Sequence, residues 1–92
     1  MREMNENKRG KRSLSARQLR AARALLGWRQ AELAERTKLS VLTIRRMEGR
    51  KGPSGSTEAN VESVRRVLEG AGVVFLKAKS VKDGGPGVRL KR

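Results

Sequence analysis

Apolar residues recur at helical spacing in four successive segments of the chain, after which the period shortens to two. In the first segment Leu19, Ala22, Leu25 and Leu26 repeat every three or four positions, as one face of an α-helix requires. Ser15 can cap that helix, Gln18 completes a capping box, and Leu14 and Leu19 occupy the two staple positions. Gly27 ends it by adopting left-handed backbone cheaply. A second helix is predicted from about Gln30 to Thr37, with Trp28 placed to staple onto Leu33 and Arg29 a poor cap. A third begins at the cap residue Ser40, with Leu39 and Ile44 as its staple, and ends near Gly49. Residues 50–56, RKGPSGS, read as a loop of turn formers. A fourth helix follows, capped by Ser56 or Thr57, with Val61, Val64, Leu68 and Ala71 along one face and Gly70 and Gly72 closing it.

Beyond Gly72 the residues favour strands. Val73-Val74-Phe75-Leu76 is β-branched and aromatic, and Val88-Arg89-Leu90-Lys91 alternates apolar with basic. Between them Lys79 to Gly87, with Asp83-Gly84-Gly85-Pro86, is a turn-rich connector. Two strands are expected, either as a hairpin or exchanged with a second chain. Residues 1–12 are charged or polar apart from two methionines and a glycine, and read as a disordered basic arm or, equally, as a merely solubilising tail. The organisation expected is therefore an arm over 1–12, a helical domain over 13–72, and a C-terminal β element over 73–92.

Charge narrows the class of partner. Lys and Arg number 23 against 9 Asp and Glu, a formal net charge of +14. Self-repulsion on that scale is naturally offset by a polyanion, nucleic acid first among them. The chemistry of catalysis is sparse. Without cysteine or histidine there is no thiol nucleophile, no thiolate metal site, and neither the commonest general base nor the commonest metal ligand. Glu32, Glu35, Glu58, Glu62 and Glu69 lie on predicted helices and Asp83 in a turn, in no recognisable acid/base pair or metal cluster. No enzymatic activity, metal or cofactor is expected. The longest apolar runs are a few residues, too short to span a bilayer, and MREMNENKRGKR is not followed by the apolar segment of a secretory signal. A cytoplasmic location is the expectation. Trp28 is assigned to the core. With one tryptophan, one phenylalanine and no tyrosine, the chain lacks the aromatic pairs on which single-stranded nucleic acid stacks.

The second and third helices answer a specific packing problem. Two short helices joined by a tight turn make a helix-turn-helix. Ala34 allows close approach, and Leu33, Leu39, Ile44 and Met47 supply the apolar contacts that fix the crossing. At about 100° per residue, Val41, Leu42, Arg45, Arg46 and Gly49 fall within roughly 140° of one another on the third helix. The core residues take the remaining arc, so the arginines face outward. A B-form major groove admits such a helix.

The stretch QAELAERTKLSVLTIRRMEGRK, with the preceding ALLGW, resembles the Cro/repressor-type (XRE-like) helix-turn-helix regulators, over about residues 15–72. That resemblance implies a lambda-repressor-like bundle of four to five helices, here followed by two strands, that binds double-stranded operator DNA as a two-fold homodimer. By position it implies that Gln30 holds a phosphate and that Ser40 and Thr43 contact the DNA backbone. Val41, Leu42 and Arg46 would face base edges, and Arg23 and Glu48 would tie the first helix to the third. A bacterial, nucleoid-associated regulator, most simply a repressor, follows from it. Three residues depart from the family pattern. Lys38 stands where glycine is usual in the turn, Thr37 is polar where an apolar residue is usual, and Val41 and Leu42 are apolar where polar residues are usual.

On chemistry alone, Arg46 is the better base reader of the pair, because a guanidinium can bridge two guanine acceptors. Arg45 shares the exposed arc, and Arg50 and Lys51 are placed for phosphate. Lys8, Arg9, Lys11 and Arg12 of the arm would add phosphate or minor-groove contacts. Arg17 and Arg20 are expected to be solvent-exposed charges. Two rivals stand beside this reading: a protein-binding regulator, such as an antiactivator that holds a transcription factor through Val41 and Leu42, and sequence-indifferent packaging of DNA.

Overall fold

The computed structural model describes residues 14–77 and 86–91. Within them the chain runs through helices α1 (Ala16–Leu26), α2 (Gln30–Thr37) and α3 (Val41–Met47), a 3-10 turn (Gly52–Gly55), helix α4 (Glu58–Gly70), and strands β1 (Val73–Leu76) and β2 (Gly87–Leu90). The architecture is a helical bundle closed by a two-stranded antiparallel sheet. Much of the connector between the strands, and the arm residues Lys8, Arg9, Lys11 and Arg12, lie outside the described residues.

Local chemistry sets the helix ends. Ser15 Oγ accepts the Gln18 amide at 3.0 Å while Gln18 Oε1 accepts the Ser15 amide at 2.9 Å, the reciprocal capping box. Gly27 ends α1 with φ of 71°. Ser40 caps α3 and Thr57 caps α4, each accepting the amide three residues on. Arg29 makes no side-chain cap for α2. Two details differ from the sequence-based expectation. The loop 50–56 tightens into the 3-10 turn, because Pro53 cannot donate a backbone hydrogen bond and Gly52 adopts φ of 68°. Gly70 stays inside α4, Ala71 caps it, and Gly72 makes the left-handed exit at φ of 104°.

Each helix contributes two residues to one buried core. These are Leu19 and Ala22 of α1, Leu33 and Ala34 of α2, Ile44 and Met47 of α3, and Val64 and Leu68 of α4, joined by Val73 of β1. The strands pair within the chain, Val73 opposite Leu90 and Leu76 opposite Gly87, so β2 begins one residue earlier than expected and Lys91 falls outside it. That register puts Val73, Phe75, Val88 and Leu90 on one face, and the first three of these pack on the core. Gln18 fastens the hairpin to α1. Its Nε2 donates to the carbonyls of Leu76 and Gly87 at 3.2 and 3.1 Å, while its Oε1 stays in the cap. The polar Thr37 is buried, and its hydroxyl donates back to the Leu33 carbonyl at 2.8 Å, which removes the penalty of an unpaired polar group.

Candidate nucleic-acid interface

A seven-residue helix is too short to persist alone, so α3 owes its position to what surrounds it. On its inner side Ile44 and Met47 are about 1% exposed. At its leading end Ser40 Oγ accepts the Thr43 amide at 3.0 Å and lies 2.9 Å from the Thr43 hydroxyl. One hydroxyl hydrogen suffices for that pair, which leaves the other able to donate outward.

At the trailing end, Glu48 is a junction. Arg23 grips its carboxylate in a fork, Nε to Oε2 at 2.7 Å and Nη2 to Oε1 at 2.9 Å. Gln30 Nε2 donates to Oε1 at 3.0 Å, and Arg20 Nη1 donates to the Glu48 main-chain carbonyl at 2.6 Å. Arg23 also reaches the Trp28 carbonyl at 2.9 Å. The Glu48 hydrogen bond is the main reason the Arg23 pKa is raised, against the opposing effect of burial. The end of α3 is thus fixed to α1 and to the start of α2 at once.

This sorting leaves charge of one sign outside. From Val41 to Lys51 the sequence holds one carboxylate, Glu48, and it is buried. Arg45, Arg46, Arg50 and Lys51 are all exposed, and Leu42 beside them is 50% exposed. The turn carrying Arg50 and Lys51 abuts the start of α1, where a Cβ on Gly52 would stand 3.8 Å from the Ala16 nitrogen.

One site residue lies partly off its sequence-based placement, and Gln30 and Arg20 carry internal bonds that local pattern did not indicate. Val41 is only partly exposed and packs in part against the core. Gln30 Nε2 donates one of its two hydrogens to Glu48, which leaves the other able to donate outward. Arg20 is exposed as expected, and its guanidinium also donates to the carbonyl left open at the end of α3. Ser40, Leu42, Thr43, Arg45, Arg46, Arg50 and Lys51 stand on the solvent side or at its margin. Arg36 was not singled out by pattern. It holds Glu32 at 3.0 Å and lies 4.3 Å over the Trp28 ring, which is half-buried; the spacing of Glu32 and Arg36 on one helix was the available signal.

No protein-family model, curated protein or solved structure matches this chain. The chemistry of the face itself is what bears on function: guanidinium groups on a braced helix, a hydroxyl pair at its leading end, and ammonium and guanidinium groups at its trailing end.

Proposed function

We propose that the chain is a double-stranded-DNA-binding transcriptional regulator of the lambda-repressor-like helix-turn-helix type, which lays α3 in the major groove. The carrying observation is the sorting of charge around α3: its one carboxylate is consumed internally by Arg23 and Gln30, while four cations are presented to solvent. Arg46 reads a base edge and Leu42 offers apolar contact to a thymine methyl. Arg45, Arg50 and Lys51 meet phosphate, and Ser40 and Thr43 donate to it. Lys8, Arg9, Lys11 and Arg12 add arm contacts. Gln30 meets phosphate through its second amide hydrogen, the first serving Glu48.

A homodimer is part of this reading. Leu76 and Leu90 on the hairpin are 39% and 41% exposed, and a lone two-stranded sheet leaves edges open to pairing. Two-fold pairing would set two copies of α3 about one DNA turn, roughly 34 Å, apart and call for an inverted repeat. Selection of bound duplexes from a random pool at near-physiological salt tests the whole. An enriched inverted repeat, with preference relaxed at one position by Arg46→Ala, is the expected result. Unenriched pools would point to sequence-indifferent packaging.

One observation favours a second reading. A leucine half exposed on the helix that carries Arg45 and Arg46 also suits a partner protein, and the antiactivator alternative rests on Leu42 with the partly covered Val41. Footprinting that shows no protection, together with a purified transcription factor captured by the wild type but not by Leu42→Ser, would favour it.

A further inference from the structure

Among the described residues, Lys38 is the one non-glycine residue with positive φ, at 63°. It follows α2 directly and precedes Ser40, the cap of α3, by two positions. Left-handed backbone is unfavourable for any residue with a Cβ, and lysine lacks the short polar side chain that lets Asn or Asp bond locally and tolerate it. Gly27, Gly52 and Gly72 make the other left-handed turns, and glycine would make this one with no such penalty.

The turn itself does not need the lysine. Its amide donates to the Glu35 carbonyl at 3.3 Å, and the next amide, that of Leu39, to the Ala34 carbonyl at 3.0 Å; both are main-chain bonds open to any residue. A cation near a helix C-terminus is favourable, but Arg36 already occupies the last turn of α2. The two cations differ in what they do. Arg36 is held by Glu32 and Trp28, whereas the Lys38 side chain is exposed and no group among the described residues bonds its ammonium. A backbone strain kept for a side chain without an internal partner points to an external one.

Placement says which. The seven residues of α3 span roughly 10 Å at 1.5 Å per residue, and Lys38 lies before them as Arg50 and Lys51 lie after. A helix seated in a groove about 12 Å wide is flanked by phosphates along its length. We propose that Lys38 is a phosphate anchor, kept in a strained turn so that its ammonium meets the duplex backbone at the leading end of α3, opposite Arg50 and Lys51. The inference rests on the duplex binding proposed above.

The test compares wild type, Lys38→Gly and Lys38→Arg by thermal melting and by binding to mixed-sequence duplex DNA over about 50–200 mM salt. Lys38→Gly is expected to melt several degrees higher, yet bind several-fold more weakly near 0.1 M salt, with a log–log slope shallower by about 0.9 per chain, the loss of one phosphate contact in each. Lys38→Arg, which keeps the charge and the strain, should keep both the slope and the melting temperature. An unchanged slope in Lys38→Gly overturns the anchor while duplex binding by the wild type stands. No gain in melting temperature overturns the strain premise and the proposal with it. Absence of duplex binding by the wild type takes down the anchor and the functional reading together.

Discussion

At Glu48 one carboxylate and one carbonyl receive four donors from Arg20, Arg23 and Gln30. The carboxylate side chain is 3% exposed and Arg23 19%, so the carboxylate has no ready access to water if its partner is lost, while the guanidinium has some. Removing one member of a buried pair is far more damaging than replacing both, because the survivor keeps its desolvation penalty. Glu48→Ala is expected to destabilise the fold by about 1–3 kcal/mol, because the surviving Arg23 keeps the Trp28 carbonyl and some water, read as a fall in the urea midpoint against the ~5–15 kcal/mol that a domain has in total. Arg23→Met with Glu48→Leu together should be much milder than either alone. If the single Glu48→Ala variant melts like wild type, the junction does not hold α3. The raised Arg23 pKa fixes the sign of the pH dependence on the arginine side. Its contribution is complete below the unfolded-state value and is lost only as pH climbs through the higher folded one, so it is constant across neutral and mildly alkaline solution.

Helix α3 and the hairpin are the elements least able to stand alone. Ser40→Ala removes the cap of α3, at about 1 kcal/mol, and the loss should appear as faster hydrogen exchange at Thr43 and Ile44 with little change in α4. Gln18→Ala removes more. It breaks the capping box and leaves the Leu76 and Gly87 carbonyls without the side chain that bonds both. An expected loss of about 1–3 kcal/mol should be accompanied by opening of Val73–Leu76 ahead of the helices in exchange experiments; uniform opening would mean that the hairpin does not depend on Gln18. The same residue marks the limit of what sequence patterns reveal. Its capping role was legible, since Ser15 is three positions away. Its second role was not, because those two carbonyls lie 58 and 69 residues distant along the chain. The four α-helices among the described residues were legible from caps, staples and apolar spacing, signals confined to a few residues. Arg20 on the Glu48 carbonyl and Gln30 on the Glu48 carboxylate depend on how helices cross, which no local pattern states. Thr37, an oddity in sequence, became ordinary once its hydroxyl met its own helix.

On the scale of the whole molecule, a net charge of +14 on 92 residues makes salt act in two opposite directions. Screening weakens repulsion within the fold, so melting temperature should rise from low to moderate ionic strength. Duplex binding should weaken over the same range, because neutralised phosphates no longer release counterions to advantage. The slope separates the roles proposed for each cation. If Lys38, Arg45, Arg50 and Lys51 each neutralise one phosphate, one chain contributes about 3.6 to the magnitude of the log–log slope, and a two-fold dimer about 7. Contacts from Lys8, Arg9, Lys11 and Arg12 would steepen it further. Arg50→Ala should then lower the magnitude by about 0.9 per chain without altering sequence preference, whereas Arg46→Ala should alter preference at one position and leave the slope nearly unchanged. Should Arg46→Ala instead cut the slope and spare the preference, Arg46 is a phosphate contact, and the helix face reads sequence through Leu42 or not at all.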